Sequence, residues 1–167
     1  LGEDRAFSSV STDTRTLKPG DLFVALKGPN FDGNAFAMKA MSLGAGGVLV
    51  DKQLSEQIPQ VIVQDTLDSL QQLGQMWRMR NGAKIVAVTG SNGKTTVKEL
   101  IAAVLETQGR TLKTEGNLNN HIGVPLTLLR LQEEKLAVIE MGASAAGEIA
   151  RLATITRPNI GIVTNTA

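Results

Sequence analysis

No cysteine occurs in the 167 residues, and aromatic residues make up only 3% of them. The first absence excludes disulfides, thiolate metal sites and a cysteine nucleophile, and it fits a reducing compartment. The second leaves little material for stacking nucleic-acid bases. Charge of one sign is lacking too. Seventeen Lys and Arg against sixteen Asp and Glu give a formal net charge of +1, with no basic block, whereas general nucleic-acid binding needs a concentrated positive face. No apolar run approaches the ~20 residues that span a bilayer, and no signal peptide is recognisable in the opening LGEDRAFSSVSTDTR. The expectation is a soluble cytoplasmic protein, with no nucleic-acid partner and no membrane insertion.

What is present is core-forming material, with 42% hydrophobic residues, in a length that suits one domain or two small ones. Periodicity predicts strands at 21–26, 46–50 and 60–63 and helices at 33–45 and 66–80. Thr66 is the expected N-cap of the second helix, because its hydroxyl can accept a free helix N–H. NGA at 81–83 breaks the pattern and is the expected domain boundary. Beyond it come strands at 84–89, 111–114, 136–141 and 159–164, alternating with helices near 94–108, 122–131 and 147–156. Such alternation implies parallel strands joined by helical crossovers. The fold class expected is α/β, a small N-terminal α/β domain over 1–81 followed by a parallel-sheet domain over 82–167. The chain stops just after an apparent buried strand, so the second domain is expected to be incomplete.

The stretch VAVTGSNGKTTVKEL carries the clearest chemistry. A β-rich run enters a turn with Gly90, Ser91, Asn92 and Gly93, and a helix-like run leaves it. Turns of this kind aim backbone N–H groups at phosphate oxygens, and the helix adds its positive end. Lys94 would reach the β- and γ-phosphates, the Thr95 hydroxyl would ligate Mg²⁺, and Thr96 could add a phosphate contact. The strict motif has a glycine where Val88 stands, so this is a shortened G-S-N-G-K-T-T form.

A metal-bound nucleotide also needs an acid at a nearby strand end. Glu140 closes the apolar run LAVIE and is the expected Mg²⁺ ligand, directly or through water; a solvated strand-end carboxylate is the plainer reading. Glu148 reads as a surface residue favoured by a helix start. TEGNLNNHIGVPLTLL places Asn117, Asn119 and Asn120 beside His121, the only histidine. These could form a polar lip whose amides touch phosphate or substrate oxygens, with Asn119 and His121 as catalytic candidates beside Lys94. Asparagines also favour turns, and a histidine here can equally order or cap the loop.

Together TGSNGKTT, TEGNLNNHIGVPLTLLRL, AVIEMGAS…GEI and TRPNIGIVTN, in this order, resemble the Mur ligases, the ATP-dependent amino-acid ligases of bacterial peptidoglycan synthesis. STDTR…KPGDLFVALKG…FDG adds a likeness to the branch that joins D-alanyl-D-alanine to a UDP-N-acetylmuramoyl-tripeptide. The resemblance implies an N-terminal domain for the UDP part of the substrate, a central domain for ATP and Mg²⁺, and a further C-terminal domain absent from these residues. It places Ser11, Asp13, Thr14 and Arg15, with Lys27, Gly28, Phe31, Asp32 and Gly33, near the uridine diphosphate. Arg15 can pair with a diphosphate and Phe31 offers a face to uracil; Asp13 and Arg15 could equally form a surface pair. Asn34 stands where the family has histidine. The family's histidine near the metal site and its carbamylated lysine at a second metal fall outside these residues.

The implied reaction moves the γ-phosphate of ATP to the tripeptide carboxylate, and the acyl phosphate so formed is attacked by the dipeptide amine. The resemblance implies a monomer active in cell-wall biogenesis and division, with this chain inactive alone. A related ligase adding another amino acid, a nucleotide-driven switch, and a nucleotide-binding module without ligase activity remain as alternatives.

Overall fold

The computed structural model describes residues 5–166. The chain divides into two compact units, Leu1–Leu70 and Gln71–Ala167.

The first unit is built on four parallel strands in the order β1-β2-β5-β6: β1 Val10–Ser11, β2 Leu22–Val24, β5 Gly47–Val50 and β6 Gln60–Ile62. A two-stranded antiparallel ladder, β3 Lys27–Gly28 and β4 Phe31–Asp32, lies between β2 and β5 in sequence. Phe23, Val48 and Val50 form its core with Ala37 and Ala40. The helix expected at 33–45 is a 3₁₀ turn, Gly33–Phe36, followed by a short α1, Ala37–Ser42. The reason is local: the Asp32 carboxylate accepts from the Asn34 N–H at 2.9 Å and tightens the entry. The strand expected at 21–26 keeps only its middle. Asp21 is drawn into the KPGD turn, where its carboxylate accepts from the Lys18 N–H at 2.8 Å and from the Ser9 hydroxyl at 2.5 Å. The connection from β5 to β6 contains no helix; Leu54 and Ile58 pack its loop on the core.

Helix α2 spans Thr66–Arg80 as expected, but its cap differs. Asp65 accepts the Asp68 N–H at 2.8 Å, whereas the Thr66 hydroxyl is buried and donates to the Ala25 carbonyl at 3.0 Å. The division between units falls inside α2 and not at the expected 81–82 break. From Gln71 onward the helix has its partners in the second unit. Trp77 Nε1 donates to the Leu131 carbonyl at 2.7 Å, and Arg78 Nε donates to that of Thr156 at 2.9 Å.

The second unit holds a four-stranded parallel sheet in the order β10-β7-β9-β8: β7 Lys84–Thr89, β8 Thr111–Lys113, β9 Leu136–Glu140 and β10 Ile160–Val163. The helices are α3 Lys94–Glu106, α4 Gly123–Leu129 and α5 Glu148–Thr156. Successive strand residues point to opposite faces. Ile85, Ala87, Ala137 and Ile139 therefore pack with Val124, Leu128, Leu152 and Ile155 of α4 and α5. Val86, Val88 and Val138 pack on the other side with Val97, Ile101, Ala102 and Leu105 of α3. This three-layer arrangement points the carboxyl ends of β7 and β9 at the N-terminus of α3. Ligands of open α/β sheets bind beyond such strand ends. Among the described residues no helix is long and apolar enough to cross a membrane.

Candidate functional site

The turn from β7 to α3 is held from one side by the segment after β10. Ser91 N–H donates to the Asn165 carbonyl at 3.1 Å, and Asn92 N–H donates to Asn165 Oδ1 at 2.9 Å. The Thr164 hydroxyl donates to the Asn92 carbonyl at 2.6 Å. Gly90 is required here on two counts. Its φ is +135°, and a Cβ would lie 2.2 Å from Thr164 Oγ1 and 2.9 Å from the Asn165 carbonyl oxygen. Gly93, at φ +78°, is the N-cap of α3, and a Cβ on it would meet open space. Lys94 arches back over the turn, its Nζ donating to the carbonyls of Gly90 at 2.8 Å and Ser91 at 3.2 Å. Thr96 is exposed on the first turn of α3.

Glu140 ends β9 directly beside Val88 in the ladder and is 2% exposed. Its Oε2 accepts from the Thr95 hydroxyl at 3.0 Å and its Oε1 from Asn119 Nδ2 at 2.8 Å. Its own N–H donates to Thr114 Oγ1 at 2.9 Å. A buried carboxylate is costly unless it is hydrogen-bonded or meets a cation. Here both side-chain partners are neutral, so they satisfy oxygens without supplying a countercharge. Among the described residues no cluster of three or more His, Cys, Asp or Glu could hold a metal alone. Mg²⁺ is ordinarily held by one or two carboxylates together with phosphate oxygens and water. Thr95 with Glu140 fits that use, and the N–H groups at the positive first turn of α3, beyond the Ser91 and Asn92 N–H groups that Asn165 occupies, fit phosphate.

The structure thus brings Lys94, Thr95, Asn119 and Glu140 together. It treats the rest of the asparagine loop differently. Asn120 caps α4, its Oδ1 accepting from Ile122 N–H at 3.0 Å and Gly123 N–H at 2.9 Å. The Asn117 carbonyl accepts from Asn119 N–H at 2.7 Å, which orders the turn. His121 is exposed, and its carbonyl accepts from Gln71 Nε2 at 3.0 Å. Glu148 lies outside the Glu140 contacts. It accepts the N–H groups of Ser144 at 2.6 Å and Ala145 at 3.2 Å, which hold its carboxyl below the usual range; the His121 charge adds a smaller pull.

In the first unit the two expected segments form two polar clusters. The Ser11 hydroxyl donates to the Asp13 carbonyl at 3.0 Å. Arg15 closes on Asp13, with Nε 2.9 Å from Oδ1 and Nη2 2.5 Å from Oδ2. Thr14 lies between them, partly exposed. In the second cluster Asn34 Nδ2 donates to both Asp32, at 2.6 Å, and Asp51, at 2.7 Å. Lys27 pairs with Asp51, and Lys52 pairs with Asp32 at 3.2 Å. Asn34 Oδ1 is buried without a partner. Phe31 is half exposed, resting its ring where a Gly28 Cβ would be, 2.8 Å away.

The Arg15 side chain and then its N–H hold the Asp13 carboxyl at about 2, and the Asn34 N–H and amide hold that of Asp32 at about 2. Both lie below the ordinary 3.8, so the unfolded chain binds protons first as pH falls. The stability these groups contribute is present above about pH 4 and is lost between there and about pH 2. Urea denaturation of the first unit, followed at decreasing pH, should show its midpoint falling in that window. Asp13→Asn with Asp32→Asn should flatten the fall.

Sequence reasoning missed Thr164, Asn165 and Thr114 as supports of the site. All three follow strand ends, which was their one signal; strand order, unreadable from sequence, sets Thr164 and Asn165 beside the turn and Thr114 beside Glu140.

The family model described as "Mur ligase family, catalytic domain" matches residues 6–107, and that described as "Mur ligase middle domain" matches 88–167. The chain belongs to the Mur ligase family. Among curated Mur ligases it is similar to the UDP-N-acetylmuramoyl-tripeptide--D-alanyl-D-alanine ligase of Escherichia coli (strain K12). Identity is 52%, covering 99% of this chain and 37% of that protein. Among solved structures it is similar to MurF from Acinetobacter baumannii, with a TM-score of 0.88 and 40% identity over 92% of this chain and 34% of that one. A MurF ligase from Thermotoga maritima in complex with ADP gives a TM-score of 0.84 and 33% identity, over 94% of this chain and 37% of that one. The chain therefore spans somewhat over a third of the length of these Mur ligases. Their α/β architecture with parallel sheets is the one seen here.

Proposed function

We propose that this chain is the substrate- and nucleotide-binding part of an ATP-dependent ligase that joins D-alanyl-D-alanine to a UDP-N-acetylmuramoyl-tripeptide in peptidoglycan synthesis. The observation that carries the reading is the Glu140 carboxylate, buried and held by Thr95 and Asn119 beside a Gly-rich turn with Lys94. Bound ATP with Mg²⁺ would supply the activating phosphoryl group for the tripeptide carboxylate. Residues Gly90 to Thr96 hold and orient phosphates, Lys94 offsets their charge, and Thr95 and Glu140 hold the metal. Asn119 fixes the Glu140 carboxylate from the other side and can offer its amide to an oxygen of substrate. His121, on the same loop, can exchange a proton with solvent or substrate at the lip. Positioning and charge neutralisation are most of what phosphoryl transfer asks of a protein.

The first unit takes the UDP part of the substrate, and the second takes ATP. Asp13 and Arg15 satisfy each other, and a diphosphate would compete with the Asp13 carboxylate for the Arg15 guanidinium. Ser11, Thr14, Lys27 and the Gly28–Gly33 hairpin with Phe31 and Asp32 supply hydroxyls, charge and an apolar face to a uridine. The enzyme works as a monomer in the bacterial cytoplasm, with the ligation step completed by a further C-terminal domain.

Calorimetry on this chain tests the two binding roles separately. The expected result is saturable binding of ADP with Mg²⁺ and of UDP-N-acetylmuramoyl-tripeptide, without ligation. Nucleotide binding with no affinity for the UDP-sugar would point to a nucleotide switch or binding module. In a protein of the relatives' full length, phosphate release driven by another amino acid and not by D-alanyl-D-alanine would move the assignment to another Mur ligase.

A further inference from the structure

Lys98, one turn beyond Lys94 along α3, has no part in the mechanism above, yet it is 1% exposed and heads the largest fully buried side chains among the described residues. A buried ammonium survives only when its charge is paired and its hydrogens are placed. Lys98 Nζ meets both needs, donating to the Thr114 carbonyl at 2.8 Å and lying 2.8 Å from Glu99 Oε1. Thr114 is equally buried and continues from β8. Its N–H donates to the Val138 carbonyl at 3.0 Å, and its hydroxyl accepts the Glu140 N–H at 2.9 Å. Helix α3 therefore reaches Glu140 twice. Thr95 touches the carboxylate directly, and Lys98 grips the residue that fixes the Glu140 backbone. Stability alone is a poor reason for a lysine here, because taking an ammonium out of water is expensive and its acid partner Glu99 is half exposed.

We infer that Lys98, acting through Thr114, is a positioning residue for Glu140, setting how the carboxylate is presented beside the Thr95 hydroxyl and so how tightly that pair takes Mg²⁺ brought by a nucleotide. The inference rests on the nucleotide and Mg²⁺ reading of the site. Metal sites depend on such outer partners, whose loss weakens metal affinity about 10–100-fold.

The test is calorimetric binding of ADP to the full chain across a range of Mg²⁺ concentrations, with and without the metal. Lys98→Met and Thr114→Val are expected to weaken Mg²⁺ about 10–100-fold while metal-free ADP binding is unchanged. Thr114→Ser, which keeps the hydroxyl, should restore the parent behaviour. A purely structural role would lower the melting temperature and leave the Mg²⁺ dependence alone; that result in folded Lys98→Met or Thr114→Val overturns the inference. Should Lys98→Met not fold, Lys98→Gln is read by the same two criteria, because the Thr114 variants test the hydroxyl contact to Glu140 and leave the carbonyl contact to Lys98 in place. A parent chain that binds ADP with no Mg²⁺ dependence defeats the metal reading, and this inference with it, before any variant is compared.

Discussion

Lys94→Ala is expected to slow ATP-dependent ligation about 10²–10³-fold, the usual cost of removing one preorganised group that stabilises transition-state charge. The measurement is phosphate release by a protein of the relatives' full length carrying these residues. Gly90 and Gly93, both at positive φ, let the chain turn from β7 into α3 within four residues, and Asn165 and Thr164 brace that turn from outside. Lys94 Nζ lies over the turn on the Gly90 and Ser91 carbonyls, two neutral acceptors that a phosphate oxygen, being charged, can displace. The ammonium is thus kept at the place where phosphoryl charge would develop. Lys94→Arg should recover little, because a planar guanidinium is bulkier and cannot occupy the same point between two carbonyls. A Lys94→Ala protein that ligates within about tenfold of its parent would take Lys94 out of the reaction, since one tenfold is only about 1.4 kcal/mol of barrier.

The parts of this site that were legible in the sequence are those whose chemistry is local. A Gly-Ser-Asn-Gly-Lys-Thr run between a β-rich and a helix-like segment has few other uses, and Glu140 stood out as one acid closing an apolar strand. The alternation of Ile85 and Ala87 against Val86 and Val88 likewise carried the three-layer packing of the second unit. What was not legible depends on partners distant in sequence. Two-residue strands such as β3 and β4 are too short to show a period. Asp65 and Thr66 are both good cap residues, and only the carbonyl of Ala25, waiting for the Thr66 hydroxyl, separates them. The apolar stripe of α2 foretold a buried face; it could not tell that Trp77 and Arg78 would find their acceptors at Leu131 and Thr156, which moves the division between units into the helix. Of three neighbouring asparagines, Asn119 reaches Glu140 and Asn120 caps α4. Composition treats them alike, and only the path of the loop distinguishes them.

Gly33→Ala is expected to destabilise the first unit by about 3 kcal/mol, at the upper end of what overpacking ordinarily costs. A Cβ at Gly33 would lie 2.4 Å from the Leu26 carbonyl oxygen, 2.6 Å from the Ala25 carbonyl carbon and 2.7 Å from the Leu26 nitrogen. All three are backbone atoms, so no side-chain rotation can relieve the clash. Moving the chain apart would stretch the Gly33 N–H bond to the Leu26 carbonyl, now 2.9 Å, and would disturb Ala25, whose N–H donates to Leu49 in the sheet at 2.9 Å. Gly28→Ala is the control. Its Cβ would meet the Phe31 ring at 2.8 Å, but that ring is half exposed and can swing away, so its cost should be small. Trp77, the single tryptophan, falls in the second unit, so its fluorescence does not report on this change. Native-state hydrogen exchange does: at about 3 kcal/mol the amides of Val24, Val48 and Leu49 should exchange roughly 100-fold faster in Gly33→Ala, with those of β7 and β9 unchanged. Unaltered exchange in β2 and β5 would mean that the β2-to-hairpin connection can yield, and that Gly33 is not the fixed point on which the hairpin of Phe31 and Asp32 is hung.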